Sequence, residues 1–91
     1  MGIGKVAVIG AGTMGSGIAQ ICAQAGRQTV LYDAYPEGLE RGMQNIETFW
    51  DKGITKGKTT AEEKQLWSQN IRPEENLLEA VKQCDLVIEA V

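Results

Sequence analysis

Apolar residues along this chain fall into two patterns, short continuous runs and longer stretches with helical spacing. Val6–Ile9 is apolar throughout and bounded by glycine, which predicts a central parallel strand covered on both faces. A helix is expected from Thr13 to Ala25, with Ile18, Ile21, Cys22 and Ala25 on one stripe and Gly26 as its stop. Gln28–Tyr32 is rich in residues that suit a sheet and predicts a second strand. Pro36 is well placed in the first turn of a second helix. Leu39, Met43, Ile46 and Trp50 then form one long apolar stripe, which Gly53 is expected to end. Residues 54–59 read as a loop rich in Lys and Gly. Thr60-x-x-Glu63 is a capping box that opens a short helix through Leu66 and Trp67. Asn70-Ile71-Arg72 predicts a brief strand cut off by Pro73. Leu77, Leu78 and Val81 have helical spacing within a helix expected from Glu74 to Lys82. Asp85–Val91 predicts a strong closing strand.

The order is that of an α/β chain with four strands and about four helices, without internal repeats, low-complexity segments or a marked domain boundary. Right-handed crossovers turn it into a doubly wound parallel sheet of Rossmann type, with strand order 3-2-1-4. Strands 1 and 4 then flank the point where the winding reverses. Ligands of such sheets bind in the crevice outside that point. The Gly10 turn and the Ala90-Val91 end are both expected to face it.

The turn after the first strand carries chemistry. Gly10-x-Gly12-x-x-Gly15 joins strand to helix, and Asp33 ends the second strand 21 residues after Gly12. Each glycine plays a separate part in a dinucleotide site. Gly10 permits the tight turn, Gly12 leaves room for a pyrophosphate, and Gly15 lets the helix approach the strand. Ala11 completes the turn. Thr13 and Met14 are expected to contribute backbone N–H groups at the positive end of the helix dipole, with Met14 bordering the ligand. Ser16 and Gly17 keep the first turn small. The Asp33 carboxylate can accept hydrogen bonds from the adenosine ribose and would repel a 2′-phosphate, which favours NAD over NADP. An alternative role for Asp33 is a strand-end cap. These residues leave another adenosine cofactor, such as FAD or S-adenosylmethionine, open.

Composition narrows the setting. The 91 residues carry a net charge of −3, which supports neither a nucleic-acid nor a membrane-surface partner. No apolar run approaches the roughly 20 residues of a transmembrane helix, and the N-terminus lacks a secretory pattern. A soluble cytoplasmic protein is expected. Cys22 and Cys84 match no metal spacing and read as buried free thiols. There is no histidine. Gly57-Lys58-Thr59 looks like the end of a P-loop, but position 52 is Lys rather than Gly and the segment follows a helix. Glu89 has no acid–base partner in sight, and Glu62, Glu63, Glu74 and Glu75 suit helix starts.

Three segments together resemble the NAD-binding domain of the 3-hydroxyacyl-CoA dehydrogenase family. They are residues 6–20 around Gly-Thr-Met-Gly-Ser-Gly-Ile-Ala, Val30-Leu-Tyr-Asp33 with Pro36-Glu37, and residues 85–91. The resemblance implies a helical hairpin between strands 2 and 3. It implies NAD as the cofactor, Gly10, Gly12 and Gly15 at the pyrophosphate, Asp33 at the ribose, and Ala90 near the nicotinamide ribose. It further implies NAD-dependent oxidation of an L-3-hydroxyacyl-CoA to the 3-ketoacyl-CoA, with the proton taken by a His–Glu pair, the His as general base, that these residues do not contain. Residues 1–91 are therefore expected to be the N-terminal part of a dinucleotide-binding domain, with the substrate and dimerisation domain absent and no catalytic competence alone. A stand-alone or engineered nucleotide-binding or assembly module is the competing expectation. Trp50 and Trp67 are expected to pack the hairpin together rather than stack on adenine. Lys52, Lys56 and Lys58 could meet CoA phosphates, though a solvated loop is the simpler reading. In the family a further strand covers strand 4, so an open apolar edge at Leu86, Val87 and Ile88 is expected here, with pairing into a homo-oligomer.

Overall fold

A computed structural model describes residues 4–82 and 84–91. Its elements are β1 (Lys5–Ile9), α1 (Thr13–Gln24), β2 (Gln28–Tyr32), α2 (Pro36–Thr55), α3 (Ala61–Ser68), β3 (Ile71–Glu74), α4 (Leu77–Val81) and β4 (Leu86–Glu89). The four strands form one parallel sheet in the order β3-β2-β1-β4, as expected. The register aligns the C-terminal ends of the central strands: Ile9 lies opposite Tyr32 on one side and Glu89 on the other. The switch point therefore lies between β1 and β4, where the Gly10 turn and Ala90 meet.

The core follows the apolar runs. Val6, Val8 and Leu31 are buried in the sheet, against Ala19 and Ala23 of α1 and Leu39, Ile46 and Trp50 of α2. The stripe expected on α1 needs correction. Its buried residues are Gly15, Ser16, Ala19 and Ala23, while Ile21 and Ala25 are exposed and Ile18 and Cys22 are half-buried. Small side chains face the sheet because they let the helix lie close to it. The larger ones are left to its flanks and to α2.

Both long helices stop in the same way. In α1, Gly26 has φ +84°; its N–H donates to Ala23 O, and the Arg27 N–H donates to Cys22 O. In α2, Gly57 has φ +77°; its N–H donates to Ile54 O, and the Lys58 N–H donates to Gly53 O. This paired bonding satisfies the last carbonyls, and glycine takes the left-handed position at no steric cost. The expected stop at Gly53 is therefore corrected to Gly57. Gly53 is helical, and Thr59 folds back over it so closely that a Cβ there would stand 2.7 Å from Thr59 Oγ1.

The α2–α3 hairpin forms the crossover from β2 to β3. Trp50 and Trp67 meet with ring centroids 5.7 Å apart, in the packing role expected of them. Trp50 Nε1 also donates to Gln24 Oε1 at 2.9 Å, fastening α2 to α1. Lys64 of α3 reaches Asp51 and Glu47 of α2. Its hydrogen bond to Asp51 leads the causes that raise its pKa. The capping box at Thr60 and Glu63 is present in both directions.

Three boundaries at the C-terminal end move. β3 runs through Pro73 to Glu74, because it lies at the sheet's edge, where a missing N–H is tolerated. α4 is shorter than expected and starts after Asn76, whose Oδ1 accepts from the Glu79 N–H. Only Ala80 of α4 is buried; Leu77 and Leu78 are exposed. β4 covers Leu86–Glu89 rather than the whole of residues 85–91. Asp85 lies outside the strand and serves it from there. Its Oδ2 accepts from the N–H groups of Gly4 and Lys5, both at 2.9 Å. The Lys5 bond, then the Gly4 bond, holds its carboxyl below the usual range. Asp85 thus ties the start of β4 to the start of β1.

Candidate functional site

The turn out of β1 is built by close approach of backbone to backbone. Gly10 has φ +108°, and its N–H donates to Tyr32 O at 2.7 Å. A Cβ at Gly10 would stand 2.9 Å from the Ala90 carbonyl oxygen. A Cβ at Gly15 would fall 1.6 Å from the Gly10 carbonyl oxygen, which no side chain can do. These two positions demand glycine for the fold itself. At Gly12 a Cβ would meet nothing within 4 Å. Its backbone is unstrained, at φ −70° and ψ −167°. The fold therefore has no need of glycine at Gly12, and the space above it is open for a ligand.

That space faces the start of α1. Gly12 is the N-cap and offers no side-chain hydrogen bond, and no acid stands in the first turn. Ser16 Oγ donates to the Gly12 carbonyl at 2.8 Å and so does not compete for the N–H groups. The N–H groups of Thr13, Met14 and Gly15 have no carbonyl four residues back within the helix. The helices α2, α3 and α4 are furnished differently. α2 has Pro36 and Glu37 in its first turn, α3 has its capping box, and α4 has Asn76. The mouth of α1 thus presents backbone donors and a positive dipole end to whatever anion sits above Gly12.

Asp33 is aimed at this turn. Its Oδ2 accepts from the Ala11 N–H at 2.8 Å, and its Oδ1 accepts from the Tyr35 N–H at 2.9 Å. The cap role and the ligand role are compatible, because a carboxylate has about four lone-pair sites and two bonds leave room for more. Ala11 itself is buried and its N–H is committed to Asp33, so it shapes the turn rather than donating to a ligand. Met14 is 68% exposed at the mouth of α1. Ala90 is half-buried, its N–H donating to Ile9 O at 2.8 Å, and its carbonyl packs against Gly10. All eight residues expected at the site are thus gathered at one end of the sheet.

A cleft of about 460 Å³ opens over the turn, lined by Gly12, Thr13, Asp33, Tyr35, Glu37 and Arg41 with their neighbours. A second cleft, of about 640 Å³, lies between α1 and α2 and is lined by Met14, Ile18, Ile21, Phe49 and Lys52 among others. Thr13 and Asn45 border both.

Two glycines of α2 also shape the site, though the sequence pattern did not single them out. A Cβ at Gly42 would stand 2.6 Å from the Ala11 carbonyl oxygen, and one at Gly38 would stand 3.2 Å from Asp33 Oδ1. They let α2 press against the turn and its acid. The signal was available: Gly38 and Gly42 are one helical turn apart inside an otherwise strong helix, where glycine costs about 1 kcal/mol and calls for a reason.

A sequence model described as the 3-hydroxyacyl-CoA dehydrogenase NAD binding domain matches residues 5–91. The chain belongs to this family. It is 42% identical over 85 residues to 3-hydroxyadipyl-CoA dehydrogenase of Escherichia coli, covering 93% of this chain and 18% of that protein. It is 40% identical over 91 residues to a probable 3-hydroxybutyryl-CoA dehydrogenase of Bacillus subtilis, covering 100% of this chain and 31% of that one. Among solved structures, (S)-3-hydroxybutyryl-CoA dehydrogenase of Ralstonia eutropha superposes with a TM-score of 0.92 at 34% identity, over 99% of this chain and 31% of that one. The chain thus spans less than a third of the length of these relatives. NAD is the cofactor of the family, and the cradle at Gly12 fits its pyrophosphate.

Proposed function

We propose that this chain holds the NAD of an NAD-dependent L-3-hydroxyacyl-CoA dehydrogenase. The carrying observation is the pairing of open space at Gly12 with an uncapped helix start directly beneath it. In this reading the N–H groups of Thr13, Met14 and Gly15 donate to the pyrophosphate. Asp33 accepts from the adenosine ribose with the lone pairs that Ala11 and Tyr35 leave free. Ala90 borders the nicotinamide ribose, across the switch point from Gly10. Asp33 also disfavours a 2′-phosphate by like charge, which supports NAD over NADP.

Bound NAD supplies a hydride acceptor for the hydroxyl-bearing carbon of the substrate. The proton must leave to a base within hydrogen-bond reach of that hydroxyl. The chain has no histidine, and Glu89, an exposed residue of β4, has no side-chain hydrogen bond or ion pair among the described residues that would suit it to proton transfer. We assign the base, the acyl-CoA cleft and the rest of the catalytic apparatus to parts of the protein beyond these residues, so that the 91 residues bind but do not turn over. Among the described residues no helix is long and apolar enough to cross a membrane. A cytoplasmic setting is part of this proposal.

The direct test is a titration of the amide-labelled chain with NAD, followed by NMR. Shifts concentrated at Gly12, Thr13, Met14 and the residues around Asp33 are expected. Shifts confined to the α2–α3 hairpin, or none at millimolar NAD, would overturn the reading.

Self-association is the second element of the proposal. β4 lies at the sheet's edge, with Leu86 and Val87 exposed. Such an edge offers unpaired N–H and C=O groups to a further strand. We propose that, for the 91 residues taken alone, a second copy of the chain supplies it. Light scattering at high concentration should give the mass of a dimer or larger, and Val87→Lys should return it to a monomer. A monomeric wild-type chain would contradict this.

A further inference from the structure

Arg41 lies one helical turn beyond Glu37 on α2 and lines the same cleft as Gly12, Thr13 and Asp33. Among the described residues it is the one cation lining that cleft. The ion pairs among the described residues join Lys64 to Glu47 and Asp51, and Arg72 to Glu74, so they leave the Arg41 guanidinium uncommitted. The next residue, Gly42, brings α2 against the Ala11 carbonyl, and so sets the distance of this stretch of helix backbone from the turn.

Charge gives this placement a purpose. Asp33 and Glu37 both line the cleft. A doubly charged pyrophosphate arriving there meets two carboxylates as well as the donors of α1. Backbone N–H groups carry only partial charge, so a full positive charge on the opposite wall offsets that repulsion. A guanidinium also matches two phosphate oxygens at once, which an ammonium cannot.

We propose that Arg41 closes over the adenosine-side phosphate of the dinucleotide from the α2 wall, opposite the amides of α1. The inference rests on the NAD reading above. It makes the site select phosphorylated adenosines over adenosine itself. It also makes affinity fall with salt more steeply than backbone donors alone would require.

The test is calorimetric titration of the chain with ADP, NAD and adenosine at low and high salt, for wild type, Arg41→Ala and Arg41→Lys. Arg41→Ala should weaken ADP and NAD about tenfold, leave adenosine within about twofold, and flatten the salt dependence of ADP binding. Arg41→Lys should recover part of the ADP affinity. Unchanged ADP affinity in Arg41→Ala overturns the inference while the NAD reading stands. An equal loss for ADP and adenosine also overturns it, because the side chain would then support the base or the fold. A wild-type chain that binds neither ADP nor NAD removes the NAD reading and the inference with it.

Discussion

The central strand β1 has two parallel neighbours of similar composition but opposite surroundings. On one side, Thr29, Val30 and Leu31 of β2 are 2%, 1% and 0% exposed. On the other, Leu86 and Val87 of β4 are 38% and 44% exposed. Both strands are apolar runs, and both pair with β1 through the same kind of ladder. What differs is cover. β2 lies between β1 and β3 and beneath α1, whereas β4 has a strand on one side only among the described residues. The half that carries the candidate cofactor cradle is thus finished, and the half beyond the switch point is not. An apolar run tells that a strand exists; its burial depends on what else the sheet contains.

Breaking the finished half should cost most. Gly15→Ala forces a Cβ against the Gly10 carbonyl oxygen, and neither backbone can yield without moving α1 from β1. A loss of at least about 3 kcal/mol in urea unfolding is expected, a large share of the stability of a domain this size. A change below about 1 kcal/mol would show that the turn is looser than described.

Val87→Lys acts on the unfinished half, and the Val87 side chain is exposed in the single chain. At concentrations low enough to keep the wild type monomeric it should hardly alter the unfolding midpoint, whereas at high concentration it should remove the stabilisation that association adds. A large destabilisation at the low, monomeric concentration would mean that β4 is covered within the single chain.

The smallest effect concerns the clasp between the halves. Asp85 has a depressed pKa because the Lys5 and Gly4 N–H groups bond its charged form. A depressed carboxyl stabilises the fold fully above the unfolded value near 3.8 and loses that effect as pH falls through the lower folded value. Asp85→Asn should therefore lower Tm slightly at neutral pH, with the gap to wild type closing in acid. A gap of constant size from pH 7 into the acid range would contradict this role.

Much of this was legible in the sequence, for physical reasons. The strand order followed from crossover handedness, and the glycine turn with its acid followed from the needs of a phosphate at a helix start. The capping box at Thr60 was read from two residues. What escaped depended on distant contacts. The buried face of α1 uses Ala19 and Ala23 rather than Ile21, because closeness to the sheet outweighed side-chain size. Pro73 stayed within β3 because that strand is an edge, a fact of sheet order rather than of local propensity. Asp85 looked like the first residue of a strand; its bonds to the Gly4 and Lys5 N–H groups join residues 80 and more apart. Gly38 and Gly42 look like weak points in α2 until Ala11 and Asp33 are seen against them.

Calorimetric titration of NAD into the Gly12→Val chain separates the ligand role proposed for Gly12 from the structural role of Gly15. The predicted result is an unfolding midpoint close to wild type, because a side chain there enters open space, with NAD affinity reduced at least about tenfold. Wild-type NAD affinity in a folded Gly12→Val chain would contradict it.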